Sequence, residues 1–223
     1  AILIAEIASA SGCNSSPKAL DEAPMPGSAS SFDAIVAHLK KHADAVVLEG
    51  DGGSRVLVSP RLQGRLFTLK VGPVESTGFV NLAAIAKGET DPQFNNFGAA
   101  DRFWIYPEAG QFGIYFDPGA DFDRKVWKVP AALDKDPFKV ISQEKDVVKM
   151  TRDMEVTNYI GTKFKVRVDR EVGASKASGL PSELGVKLPD GVHYAGAYSK
   201  NTMTNTGAER WTTEKGLIGV WIL

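Results

Sequence analysis

Lys163-Phe-Lys-Val-Arg-Val-Asp169 sets apolar Phe164, Val166 and Val168 between charged Lys163, Lys165, Arg167 and Asp169. A period of two gives a strand one dry face and one wet face. The segment before it, Val147 to Ile160, reads as its antiparallel partner, with Asn158 to Thr162 as the connection. Upstream, Ala45-Val-Val-Leu-Glu49 and Arg55-Val-Leu-Val-Ser59 flank Gly50-Asp51-Gly52-Gly53, whose glycines tolerate positive φ, so the spacing predicts a hairpin. Gln63 to Val71 follows as a third strand, and Val192–Ser199, Thr202–Thr206 and Leu217–Leu223 complete the run. Helical windows between the strands are missing, and parallel crossovers need them. The expected fold class is therefore mainly β, an antiparallel β-sandwich. A single helix is expected at Phe32, Ile35, Val36 and Leu39, which recur at helical spacing behind a Ser30 or Ser31 cap, with His38, Lys40, Lys41 and His42 on the wet side.

The chain of 223 residues is long enough to bury a core. Lys plus Arg number 26 and Asp plus Glu 27, a formal charge of -1. No bulk field is present to hold nucleic acid or an anionic membrane face. No apolar run reaches the ~18 residues of a spanning helix. CxxC, HExxH and His–carboxylate patterns are missing, and no metal or cofactor is expected. Asp117, Asp121 and Asp123 crowd around Pro118-Gly119, a pattern more typical of a solvated loop than of a calcium site.

The ends carry their own signals. Residues 1–13 read as part of a lipoprotein signal peptide, with small Ala10, Ser11 and Gly12 before Cys13, the expected lipidation site. Residues 14–31, rich in Ser, Pro and Gly, read as a flexible tether. At the other end, Gly216-Leu-Ile-Gly-Val-Trp-Ile-Leu223 looks like a strand cut short, so residues 32–223 are expected to be the N-terminal part of a larger sandwich domain.

The densest segment runs from Phe94 to Phe116. It contains the run Asn96-Phe-Gly-Ala-Ala-Asp-Arg-Phe-Trp-Ile-Tyr-Pro-Glu-Ala-Gly-Gln-Phe112. Aromatic faces cover the C–H faces of a sugar, while Arg, Glu, Asn and Gln bond adjacent hydroxyls. The candidate binding residues are Asn96, Asp101, Arg102, Trp104 and Gln111, and Glu108 is the candidate acid or base. Arg102 would hold hydroxyls or a carboxylate and Trp104 would stack. The same residues also fit a core, with Asp101 and Arg102 as an ion pair pinning a loop.

Gln63-Gly-Arg65, the run from Asn96 to Phe112, and Asn201-Thr-Met-Thr-Asn-Thr-Gly207 followed by Trp211 and the Gly216–Leu223 segment resemble an uncharacterised family of bacterial secreted proteins and lipoproteins. That family is related in fold to the galactose mutarotases (aldose 1-epimerases). The resemblance spans roughly residues 32–223. It implies a galactose mutarotase-like supersandwich with a carbohydrate-facing sheet, continued beyond Leu223. Ala99 and Ala100 stand where Gly and Glu are typical of the run.

Epimerase chemistry needs a base for the anomeric hydroxyl and an acid for the ring oxygen. Only His38, His42 and His193 are present, and none lies in the expected cluster. The expected function is thus carbohydrate binding or modification in the bacterial cell envelope, with a saccharide ligand, membrane attachment through a lipid anchor only, and catalysis left open. The alternative is a non-catalytic structural or assembly protein of the bacterial surface.

Overall fold

The computed structural model describes residues 2–8, 31–176, 179, 185–187, 189 and 191–223. Cys13, Ser30 and nearly all of the 14–31 tether lie outside them. The fold is mainly β and antiparallel, with three short helices among the described residues and no closed barrel. A large sheet has the order β1 (Ile2–Ala8), β10 (His193–Asn205), β9 (Lys163–Ala174), β8 (Val147–Thr157), β7 (Lys139–Gln143). A second sheet follows chain order: β2 (Val46–Glu49), β3 (Arg55–Ser59), β4 (Arg65–Val71), β5 (Val74–Thr77). β6 (Phe103–Tyr106) and β11 (Gly219–Ile222) form a separate pair. Residues 2–8, assigned from sequence to the signal segment, form the β1 strand, whose backbone pairs with β10 from Ile2–Ser199 to Ala8–His193.

The architecture is layered because the second sheet is apolar on both faces. Val56, Val58, Leu66 and Leu69 join one buried cluster with Val148, Met150, Val166, Val168 and Val172 of the large sheet. Leu57 and Phe67 face the other way and pack with Phe32, Ile35 and Leu39 of α1 (Phe32–His42) and Ile85 of α2 (Leu82–Lys87). A bulge in the β3–β4 pairing shifts the register between Leu57 and Val58. Such an extra residue lets Leu66 and Leu69, three apart, reach the same core. The outer face of the large sheet is wet: Lys149, Asp153, Glu155, Lys163, Lys165, Arg167 and Asp169 are exposed.

The helix α1 starts as its sequence dictates, with the Ser31 hydroxyl accepting from the Ala34 N–H. His38 departs from the expected wet role. It is half-buried, with Nε2 2.9 Å from the Leu82 carbonyl of α2 and its ring stacked obliquely near His42. The expected break between residues 199 and 202 is also absent. β10 runs unbroken, because Lys200 and Asn201 stay in register with Glu171 and Arg170. No helix is long and apolar enough to cross a membrane among the described residues.

Candidate functional site

The run from Asn96 to Phe112 is mostly irregular chain, with β6 as its one strand. It delivers Asp101 and Arg102 to different partners, which corrects their reading as a mutual ion pair. Successive side chains in extended backbone point to opposite sides. Asp101 meets Arg170 of β9 in a fully buried ion pair, and its other oxygen accepts from the Ser199 hydroxyl at 2.8 Å. Arg170 also donates to the Gly64 carbonyl at 2.9 Å and to Asn201 Oδ1 at 2.7 Å. A buried charge is costly unless it is paired and hydrogen-bonded, and here each group has several partners.

Arg102 turns instead to Asp134 of α3 (Ala131–Asp134), at 3.4 Å. Asp134 also accepts from the Asn95 backbone N–H and side-chain amide, and Arg65 lies 3.9 Å away. Two guanidiniums thus share one carboxylate. Burial pushes the Arg65 guanidinium below its ordinary pKa; the Arg102 charge pushes it further and Asp134 partly offsets both. Burial likewise lowers Arg102, with Asp134 the main opposing influence. Both sit far above neutrality and stay charged.

Arg102 also reaches the Leu133 carbonyl at 3.4 Å, and its other support is aromatic. Its guanidinium lies 4.6 Å from the Phe94 ring centre and 4.0 Å from that of Trp104. Trp104 stacks on Tyr115 at 5.1 Å, Tyr115 on Trp127 at 5.9 Å, and Phe94 abuts both indoles edge-on. Trp104 is 2% exposed and Arg102 5% exposed, so neither offers a free face to solvent. Asp101 is equally enclosed. Among the expected contact residues, Asn96 and Gln111 are exposed and Glu108 is half-buried. Glu108 accepts the Trp104 indole N–H at 2.9 Å, which ties it to the aromatic stack. Asn96 uses its carbonyls locally, towards Asn81 and Gly98.

Sequence reasoning missed Arg170 and Arg152. Both occupy dry positions of alternating strands, Arg170 after Val168 and Arg152 between Met150 and Met154. An arginine in an apolar slot is the signal that could have found them. Asp134 carried no such mark.

A groove of about 410 Å3 opens at the far end of the β9–β10 ladder, lined by Lys163, Phe164, Lys165, Asn205, Arg210 and Trp211 among others. Its wall is the chain after β10. Thr206 N–H reaches the Lys165 carbonyl, Asn205 Oδ1 accepts from Gly207 N–H, and Asn205 Nδ2 donates to the Glu209 carbonyl. Asn158 holds the loop's far end through the Lys215 carbonyl at 2.9 Å. Trp211 is half-buried, edge-on to Phe164 at 5.7 Å. The Thr-Asn-Thr-Gly207 element of the sequence therefore shapes this groove.

Among the described residues no group of three or more His, Cys, Asp or Glu side chains is placed to hold a metal. Asp117 pairs with Lys128 and Asp123 accepts from the Lys125 N–H. His193 is exposed on β10.

Residues 30–223 match the model of a family of unknown function, DUF6786, and the chain belongs to that family. No curated protein and no solved structure matches it.

Proposed function

We propose that this chain is a carbohydrate-binding protein of the bacterial cell envelope, on a scaffold like that of the galactose mutarotases. The observation that carries the reading is the groove beside Trp211, where one partly exposed indole and several polar side chains surround about 410 Å3. Small-ligand sites have that size, and this one sets an aromatic face among hydrogen-bonding side chains. In this reading Trp211 supplies the stacking face expected of Trp104, and the Arg102 cluster holds the scaffold that presents it. Glu108 is the carboxylate to examine if a reaction is found.

The envelope address rests on Cys13 and the small residues before it. Labelling of the full-length product with a clickable palmitate analogue in a bacterial host should mark the protein, and Cys13→Ser should abolish the mark. Persistent labelling of that variant would remove the lipid anchor.

Glycan-array binding by the purified protein, beside Trp211→Ala, tests the ligand. Trp211→Ala should lose glycan binding while its melting temperature stays close to the parent's. A second reading, a non-catalytic structural or assembly component of the bacterial surface, is favoured by the enclosure of Arg102 and Trp104. Binding of no glycan by a folded sample would decide for it.

A further inference from the structure

We infer that the groove beside Trp211 takes an anionic saccharide, one bearing a carboxylate or a sulfate, and that Arg210 reads the charge. The inference rests on the carbohydrate reading above and narrows its substrate class.

The argument begins with charge placement. The whole chain is nearly neutral at -1, yet the groove lining holds Lys163, Lys165, Arg210 and Lys215 against the single carboxylate of Glu209. Outside the lining, Glu155 of β8 lies 3.7 Å from Lys163 and 4.0 Å from Lys165. Counting Glu155, four cations face two anions. Glu209 is already taken by Lys215 in a close ion pair. Arg210, exposed at the rim, makes no ion pair or hydrogen bond among the described residues.

A neutral sugar can take single hydroxyl contacts from such side chains but leaves their net charge unmatched. A carboxylate or sulfate matches it: the guanidinium fork offers two parallel N–H donors to two oxygens of one anion. The loop carrying Arg210 is tied at Asn205 and at Lys215, which limits the ordering the ligand must impose. Trp211, next in sequence, sits in the same wall to cover the ring face. Ring stacking and charge recognition thus come from adjacent residues.

The test is titration calorimetry of the full chain with trigalacturonate, its methyl ester and a sulfated galactan oligosaccharide. The acid or the sulfated sugar should bind at least about tenfold more tightly than the neutral ester, the ratio one charge-assisted contact supplies. Raising salt from about 50 to about 500 mM should weaken the anionic ligand alone. Arg210→Ala should erase the preference and leave binding of the ester as it was. Tight binding of only one anionic form assigns the group as carboxylate or sulfate. Equal binding of acid and ester, both lost in Trp211→Ala, overturns the anion inference and leaves the carbohydrate reading intact. Binding of none of the three, nor of any arrayed glycan, overturns both.

Discussion

The Arg102 guanidinium carbon lies 4.0 Å from the centre of the Trp104 ring, while Arg102 Nε has no hydrogen-bond partner. A cation held this deep is normally matched by a full set of acceptors. Here Asp134 and the Leu133 carbonyl supply only long contacts, at 3.4 Å, and the π faces of Trp104 and Phe94 provide the rest. Trp104 is therefore both core side chain and counter-group to a buried charge.

Trp104→Ala should remove that double role. Loss of a buried indole destabilises by about 3–5 kcal/mol. Urea denaturation should place the loss at the upper end of that range, because Arg102 is left without its nearest face. A loss below about 1 kcal/mol would mean that the stack carries little.

Asp101 and Arg170 form the second buried ion pair, and removal of one partner should be worse than removal of both. Asp101→Ala should destabilise by about 3–5 kcal/mol, whereas Asp101→Leu combined with Arg170→Met should recover most of that loss. A double-variant loss equal to the sum of the separate Asp101→Leu and Arg170→Met losses would show that the two charges are not coupled.

Ala99 has φ 139°, a backbone region that favours glycine. Its N–H bonds to the Phe79 carbonyl and holds it there. Such a residue stores about 1–3 kcal/mol of strain, part of which glycine's looser unfolded chain cancels. Ala99→Gly should raise stability by about 1 kcal/mol, read as a higher melting temperature. Ala99→Val should lower it. An unchanged midpoint in both would place the strain elsewhere.

Alkaline titration follows from two tyrosines. Burial raises the Tyr115 phenol well above its ordinary value, and the neutral phenol donates to the Ile105 carbonyl at 2.8 Å. Burial, then the Glu171 carboxylate, raises Tyr198 to about 12. Both phenols hold their protons longer in the folded chain than in the unfolded one. Stability is thus intact below the unfolded value of about 10 and falls as pH rises through the folded one. Denaturation midpoints at pH 9, 10 and 11, taken as approximate settings, should decline, and Tyr198→Phe should flatten part of the decline. A midpoint independent of pH over that window would contradict the burial of both groups.

Much of the sheet framework was legible because it obeys simple periods. The hairpin of β2 and β3, the β8–β9 pair and α1 emerge within one to three residues of their expected bounds, apart from the longer β9 end. Their burial alternates or recurs as their apolar residues do. The sequence suggests a break in β10 because Lys200-Asn201 looks like a turn, yet Asn201 is held by Arg170 across the ladder. The short α2, α3 and the edge strands β5 and β7 had no clear period. β7 is exposed at all five positions, so no buried face writes itself into Lys139–Gln143. The aromatic run was recognised as special, but whether it fronts a groove or fills a core depends on Tyr115, Trp127 and Asp134, brought to it by tertiary packing. Local sequence cannot state that.

Arg170 is flanked on its strand by Asp169 and Glu171, both turned outward. Mispairing of β9 by a single position would swing one of these acids inward, opposite Asp101, in place of the guanidinium. Two facing carboxylates without a counter-ion would penalise the slipped arrangement far more than a misplaced valine would. The pair therefore acts as a key that admits one alignment of the ladder, and with it one position for the loop that carries Trp211.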